Sequence, residues 1–248
     1  MKKTLGVWLA TVLCAGRMLA TISKVQATQN FTSGGTTCVI SGSSSPAWSS
    51  SGSGNLIWVE LYNINNTGTT TITDNKSDTY TQLFNTGTNC NGGSQCAAWY
   101  LKNTPSGITS ITITTSSGTL FCAAGEYSGL DTSSPLDVNT GLNTTASTSW
   151  ASIAGSTSSS NELLVGFAAN ASTQTYSLGG SWSDTAHEAG FGGFLVSGTQ
   201  IVSATQSNLT FNGTAGATGS SAAWFSFKAV AAGASCPHTL LLASAGCG

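Results

Sequence analysis

Between about Thr36 and Val230, apolar and polar residues alternate with a period of two in short runs, and clusters of Gly, Ser, Asn and Thr break these runs every ten to fifteen residues. Successive side chains on a β-strand point to opposite faces, so this period predicts strands and the clusters predict turns. The predicted strands are residues 37–41, 55–64, 70–73, 79–84, 96–102, 108–115, 120–128, 147–153, 162–168, 191–197, 200–205, 209–211 and 222–229. No stretch carries a helical stripe with capping residues. A single all-β domain is therefore expected, a two-sheet antiparallel β-sandwich of the jelly-roll or immunoglobulin-like kind with about 12 strands.

Parity within each run assigns faces. In "LIWVELY", Ile57, Val59 and Leu61 make an all-aliphatic face, the natural core, and Trp58, Glu60 and Tyr62 share the other. In "CAAWYLK", Tyr100 falls with Lys102, and in "AAWFSFK", Trp224 falls with Ser226 and Lys228. Such mixed faces suit an outer sheet surface of cross-strand pairs. They also suit a platform where rings stack on the apolar faces of sugars and polar groups hold the hydroxyls. On the second reading Trp58, Tyr62, Tyr100 and Trp224 are the ligand-binding residues, with Trp48 and Trp182 as loop candidates.

The first residues change the picture. The chain opens MKK, continues with an apolar run from Leu5 to Gly16, and reaches Val25-Gln26-Ala27, a small-residue ending of the kind signal peptidases cut after. Arg17 interrupts the run well short of the roughly 20 residues needed to span a bilayer. Residues 1–27 thus read as a secretory signal peptide of a bacterial protein that is secreted or held at the cell surface, without membrane insertion after cleavage. Residues 28–232 would form the sandwich, and residues 233–248 a tail flanked by Cys236 and Cys247. The tail's Leu240, Leu241 and Leu242 would pack on the sandwich or meet a partner.

Cleavage after Ala27 would remove Lys2, Lys3, Arg17 and Lys24, leaving three lysines against nine acids, a net charge of −6. That balance leaves no basic surface for nucleic acid or anionic lipid. Charged residues make up 6% of the chain, against about 25% in ordinary globular proteins. The surface is wetted by hydroxyls and amides instead.

Six cysteines follow the leader, and an even count in an exported protein suggests disulfides, although fifteen pairings are open. Spacing makes Cys90–Cys96 a clip across "CNGGSQC" and Cys236–Cys247 a clip on the tail, which leaves Cys38 with Cys122. Zinc lacks a CxxC pair, and His187 and His238 stand at no ligand spacing.

Three of the nine acids, Glu126, Asp131 and Asp137, crowd into "FCAAGEYSGLDTSSPLDV". Glu126 ends a strand, and Asp131 and Asp137 suit turn positions where a carboxylate accepts backbone N–H groups. Calcium, the one cofactor these acids would serve, needs about six to eight oxygens, and glycoside hydrolysis needs two facing carboxyls. No GxSxG, HExxH or phosphate-cradling loop is present. His187 adjoins Glu188, but neighbours on a strand point to opposite faces. No residue is assigned to catalysis or to a metal.

The succession "TDNKSDTYTQL", "AAWYLKNTPSGITSITITTS", "AAGEYSGLDTSSPLDV", "NELLVGFAAN" and "IVSATQSNLTFNGT…SSAAWFSFKAV" resembles a β-sandwich module recurrent in large secreted and surface proteins of bacteria. The resemblance implies a non-catalytic module and supplies no catalytic residues for Glu126, Asp131 or Asp137. The cysteines and the Cys-flanked tail depart from its pattern.

The leading expectation is a secreted, non-catalytic protein for adhesion or ligand binding, with a polysaccharide or another cell-surface or matrix component as partner. A structural subunit that self-associates through strand edges or the tail is a second. A jelly-roll enzyme acting on glycans, using two of Glu60, Glu126, Asp131, Asp137 and Glu188, is a third. Alternate threonines in Thr69–Thr73 and Ile111–Thr114 would give an ice-binding face.

Overall fold

The computed structural model describes residues 21–64, 68–86 and 90–231. All its sheets are antiparallel. The first has six strands in the order β1 (Ser23–Ile40), β6 (Ile111–Ser128), β2 (Leu56–Ile64), β5 (Gln95–Leu101) and β4 (Thr81–Asn85), with β3 (Thr71–Asp74) also paired to β6. The second, also six-stranded, runs β12 (Ser183–Gly190), β13 (Gly193–Val202), β10 (Glu162–Asn170), β15 (Ser220–Lys228) and β7 (Leu136–Asn139), with β8 (Asn143–Thr145) on β15. A third, three-stranded sheet holds β11 (Tyr176–Leu178), β14 (Asn212–Ala215) and β9 (Ser149–Ala151).

The expected two sheets of about a dozen strands are therefore corrected to three sheets, because the second sheet is covered on both faces. One core lies between the two large sheets, where Trp58, Tyr62, Phe121 and Tyr127 meet Leu163, Val165, Phe167, Phe225 and Phe227. Another lies on the far side of the first sheet. There β1 and β6 curl, so that Cys38, Ile40, Ile111 and Ile113 pack with Ile57, Val59 and Leu61. The curl follows a register shift on each side of Gly35, opposite Gly118, with Gly34 in the left-handed region at φ 66°. The last core lies under the small sheet, where Trp150, Trp182 and Phe211 meet Leu164, Phe194 and Trp224. Every residue of β2, β5 and β10 is buried.

Two disulfides form, Cys90–Cys96, the pair that spacing predicts, and Cys38–Cys122, the pair that elimination left, and disulfides fit an oxidising compartment. Cys236, Cys247 and the rest of the tail lie outside the described residues. Among the described residues no helix is long and apolar enough to cross a membrane.

The 41–54 stretch, rich in Ser and Gly, is an ordered loop. Trp48 is buried in it and donates its indole N–H to Ile108 O at 3.2 Å. β1 begins at Ser23, within the segment assigned to the leader, and Ser23, Lys24 and Gln26 stand opposite Ser128, Tyr127 and Glu126 of β6.

Candidate functional site

The four platform residues are corrected by their burial. Trp58, Tyr62 and Trp224 are 0% exposed and Tyr100 is 7% exposed, so no sugar in solution reaches their faces. Trp58 lies over Gly125, where an added Cβ would come within 2.4 Å of the ring. Trp224 packs on Gly155 and donates to Ile153 O at 3.2 Å. Tyr62 stacks on Phe121 and donates to Ser94 Oγ at 3.3 Å, and Tyr100 tilts against Phe227 at 5.2 Å. Trp182 is buried edge-on to Phe211. Parity put each strand's ring on the right face of its own strand, but Trp224 lies in a different core from Trp58, Tyr62 and Tyr100, and parity carried no information on how many layers would cover them.

The three clustered acids go to separate tasks. Glu126 is fully buried and accepts from Gly52 N at 2.7 Å, Asn55 Nδ2 at 2.6 Å and Gln26 Nε2 at 2.6 Å, so it ties the 41–54 loop to β1. Asp131 takes the backbone N–H groups of Ser133 and Ser134, which with the Ser133 hydroxyl hold it below the usual carboxylate range. Asp137 accepts from the amide and hydroxyl of Ser158. Among the described residues no group of three or more His, Cys, Asp or Glu side chains is placed to hold a metal ion.

Burial raises the carboxyls of two other acids. Glu60 is 0% exposed in the central core, between Ala98 and Ala123 of the neighbouring strands, and accepts from Ser197 Oγ of the opposite sheet. Burial pushes its carboxyl well up, the serine only partly opposing the rise. Glu162 is covered as well, and burial pushes it up to about 7, with the Asp137 carboxyl adding to the rise against the Ser226 hydroxyl. Asp137 is lowered: its partial burial is outweighed by Ser158, Glu162 and Lys228.

Burial and the Asp137 charge thus favour the protonated form of Glu162. Protonated Glu162 is stabilising below its ordinary value of 4.5, and that contribution is lost as pH rises through about 7. Screening from the partly exposed Asp137 side reduces the effect to roughly 1–2 kcal/mol. Glu162→Gln, which mimics the protonated form, is expected to flatten the fall in stability between pH 4.5 and 8 by that amount in urea titrations. Equal pH slopes in the two proteins would refute the raised Glu162 carboxyl.

One edge of the molecule is built differently. β12 has a register shift between Asp184 and Ala186, and this extra residue lets Asp184 and His187 meet on one face, where a regular strand would part them. Asp184 Oδ2 lies 3.1 Å from His187 Nδ1 and accepts the Tyr176 hydroxyl at 2.7 Å. His187 is thus paired with Asp184, not with its neighbour Glu188.

Beside this cluster an open groove of about 380 Å³ separates β1 and β6 from β12 and β13, with Lys24, Tyr127, Ser183, Asp184, Thr199 and Gln200 in its walls. Tyr127 donates to Thr199 Oγ1 at 3.1 Å, and Thr199 also bonds Thr185. Burial raises the Tyr127 hydroxyl, so it stays neutral.

The same edge carries an exposed ring seven residues on. Phe191 sits at the β12–β13 turn, 68% exposed, with φ 48°. A bulky residue in the left-handed region is strained, and such strain concentrates at functional positions. Its ring stacks on Phe31 of β1 at 4.5 Å, 12° from parallel. Phe31 and Phe191 each lie seven residues beyond a groove residue, Lys24 and Asp184, so ring and groove are about 23 Å apart along the strands.

None of these groove or ring residues was singled out from sequence as a ligand contact. The "GFGG" turn around Phe191 was the one local signal, an aromatic ring set where turn chemistry favours glycine. On another face, Thr71 and Thr73 of β3 stand opposite Thr114 and Thr112 of β6, so the alternate threonines do share a side of the sheet. Comparison of the chain with family models, with curated proteins and with solved structures finds no match.

Proposed function

We propose that this chain is an extracellular, non-catalytic binding module for saccharide chains, and that the seam between β1 and β12 is its site. One observation carries the reading: a groove walled by hydroxyls, an amide, one ammonium and one carboxylate shares an edge with the exposed Phe191 ring. Sugars present hydroxyls that both donate and accept, which the serines, threonines, Gln200, Lys24 and Asp184 can meet. They also present apolar C–H faces, which a ring can cover. This site replaces the buried tryptophans and keeps the ligand class they suggested.

Hydrolysis fits less well. Glycosidase carboxyls stand about 5–10 Å apart with the sugar between them, whereas Glu60 and Glu126 are fully buried and Asp131 and Asp137 are taken up by nearby serines.

The test is binding of the oxidised protein to a panel of polysaccharides and oligosaccharides, with Phe191→Ala and Asp184→Ala beside it. Because Phe191 is largely exposed, its loss is expected to leave folding intact and to weaken binding about ten-fold, equivalent to about 1.4 kcal/mol. Absence of binding across the panel, or unchanged affinity in both variants, would refute the assignment.

A further inference from the structure

Residues 22–27 are built into the fold, although the small-residue pattern ending at Ala27 would place them in a discarded leader. Ile22 is 6% exposed and belongs to the central core. From Ser23 the backbone pairs with β6, and Ser128 Oγ also donates to Ser23 O. Gln26 holds three contacts at once. Its Nε2 donates to Glu126 Oε2 at 2.6 Å and to Ser49 O at 3.2 Å, and its Oε1 accepts from Ser49 N at 2.8 Å.

The backbone of Thr21 comes so close to Gly129 that a Cβ there would stand 2.4 Å from Thr21 O. Gly129 adopts φ 82°, a conformation that also favours glycine. Lys24 forms part of the groove wall. A chain cut after Ala27 would lose a core residue, the leading pairs of β1 and one of the donors to a fully buried carboxylate, a group that is costly to leave short of partners.

We infer that the export leader is cut on the N-terminal side of Thr21, with Ala20–Thr21 as the bond that leaves the first strand whole and still offers a small residue to the peptidase. The step is amide hydrolysis: water adds across the bond, leaving a carboxylate on Ala20 and an ammonium on Thr21, which is exposed. The inference rests on the leader that the MKK start and apolar run define, and it is independent of the ligand.

The experiment is export of the full chain, residues 1–248, from a bacterial host, followed by N-terminal sequencing and intact mass of the released protein. A first residue at Thr21, or between Met1 and Thr21, supports the inference. A first residue beyond Thr21, or retention of Met1, overturns it. Oxidised chains 21–248 and 28–248 provide the second measurement. The shorter one is expected to melt on the order of 10 °C lower, and equal melting temperatures would overturn the structural basis of the inference. Neither readout involves a saccharide, so failure of the binding reading leaves both unaffected.

Discussion

Replacing Cys38 and Cys122 together by alanine is expected to lower the free energy of unfolding by about 4 kcal/mol. The bond closes a loop between residues 84 apart in sequence, so its loss frees a large part of the unfolded chain. Both sulfurs are 0% exposed within the outer core of the first sheet, so truncation also removes packing. The Cys90–Cys96 bond, with a separation of 6, closes a far shorter loop. Its removal is expected to cost about half as much on the same loop-entropy argument. Urea titrations of the oxidised protein and the two double variants would test the order. A longer-loop variant as stable as the parent would show that the curl of β1 and β6 holds without its covalent tie.

Trp58→Ala is expected to destabilise the fold by about 3–5 kcal/mol, the range for removing a large buried ring. Its partner Gly125 supplies the control. A Cβ at that position would stand 2.4 Å from the indole, so Gly125→Ala in the parent is expected to cost about 1–3 kcal/mol through overpacking. With the ring removed the same change should be nearly neutral, because the space it invades is empty. A double-mutant cycle reads that difference directly. If Gly125→Ala costs the same in both backgrounds, the ring does not rest on the glycine face. Were Trp58 instead an exposed sugar platform, its truncation would change stability only slightly.

The sequence already carried the strand class, the antiparallel arrangement and both disulfides within the described residues. Period-two alternation and the Cys90–Cys96 spacing act over a few residues and leave local marks, whereas Cys38–Cys122, 84 residues apart, followed only from elimination. The number of layers left none: Ile57 and Trp58 are equally buried because different sheets or segments cover their opposite faces. The start of β1 was hidden for another reason, since residues 22–27 fit a leader's end and a strand equally well. The Asp184–His187 pair depends on one extra residue in β12, which breaks the parity rule that would have separated them. Glu162 meets Asp137 only after β7 and β10 have both been placed beside β15. Asp131 is the acid whose turn role was read correctly, because its partners are two and three residues away.

The pairing of β1 also bears on the order in which the chain can fold as it emerges. Its first residue in the sheet, Ser23, stands opposite Ser128, so the leading strand has no partner until more than a hundred residues have followed it. β2 also lies against β6 rather than against β1. A chain passing through a pore N-terminus first would therefore keep this half of the molecule open until β6 had cleared the exit. Late closure of this kind, set by the pairing order, would suit passage as an unfolded thread, with the Cys38–Cys122 bond forming only once β6 had emerged.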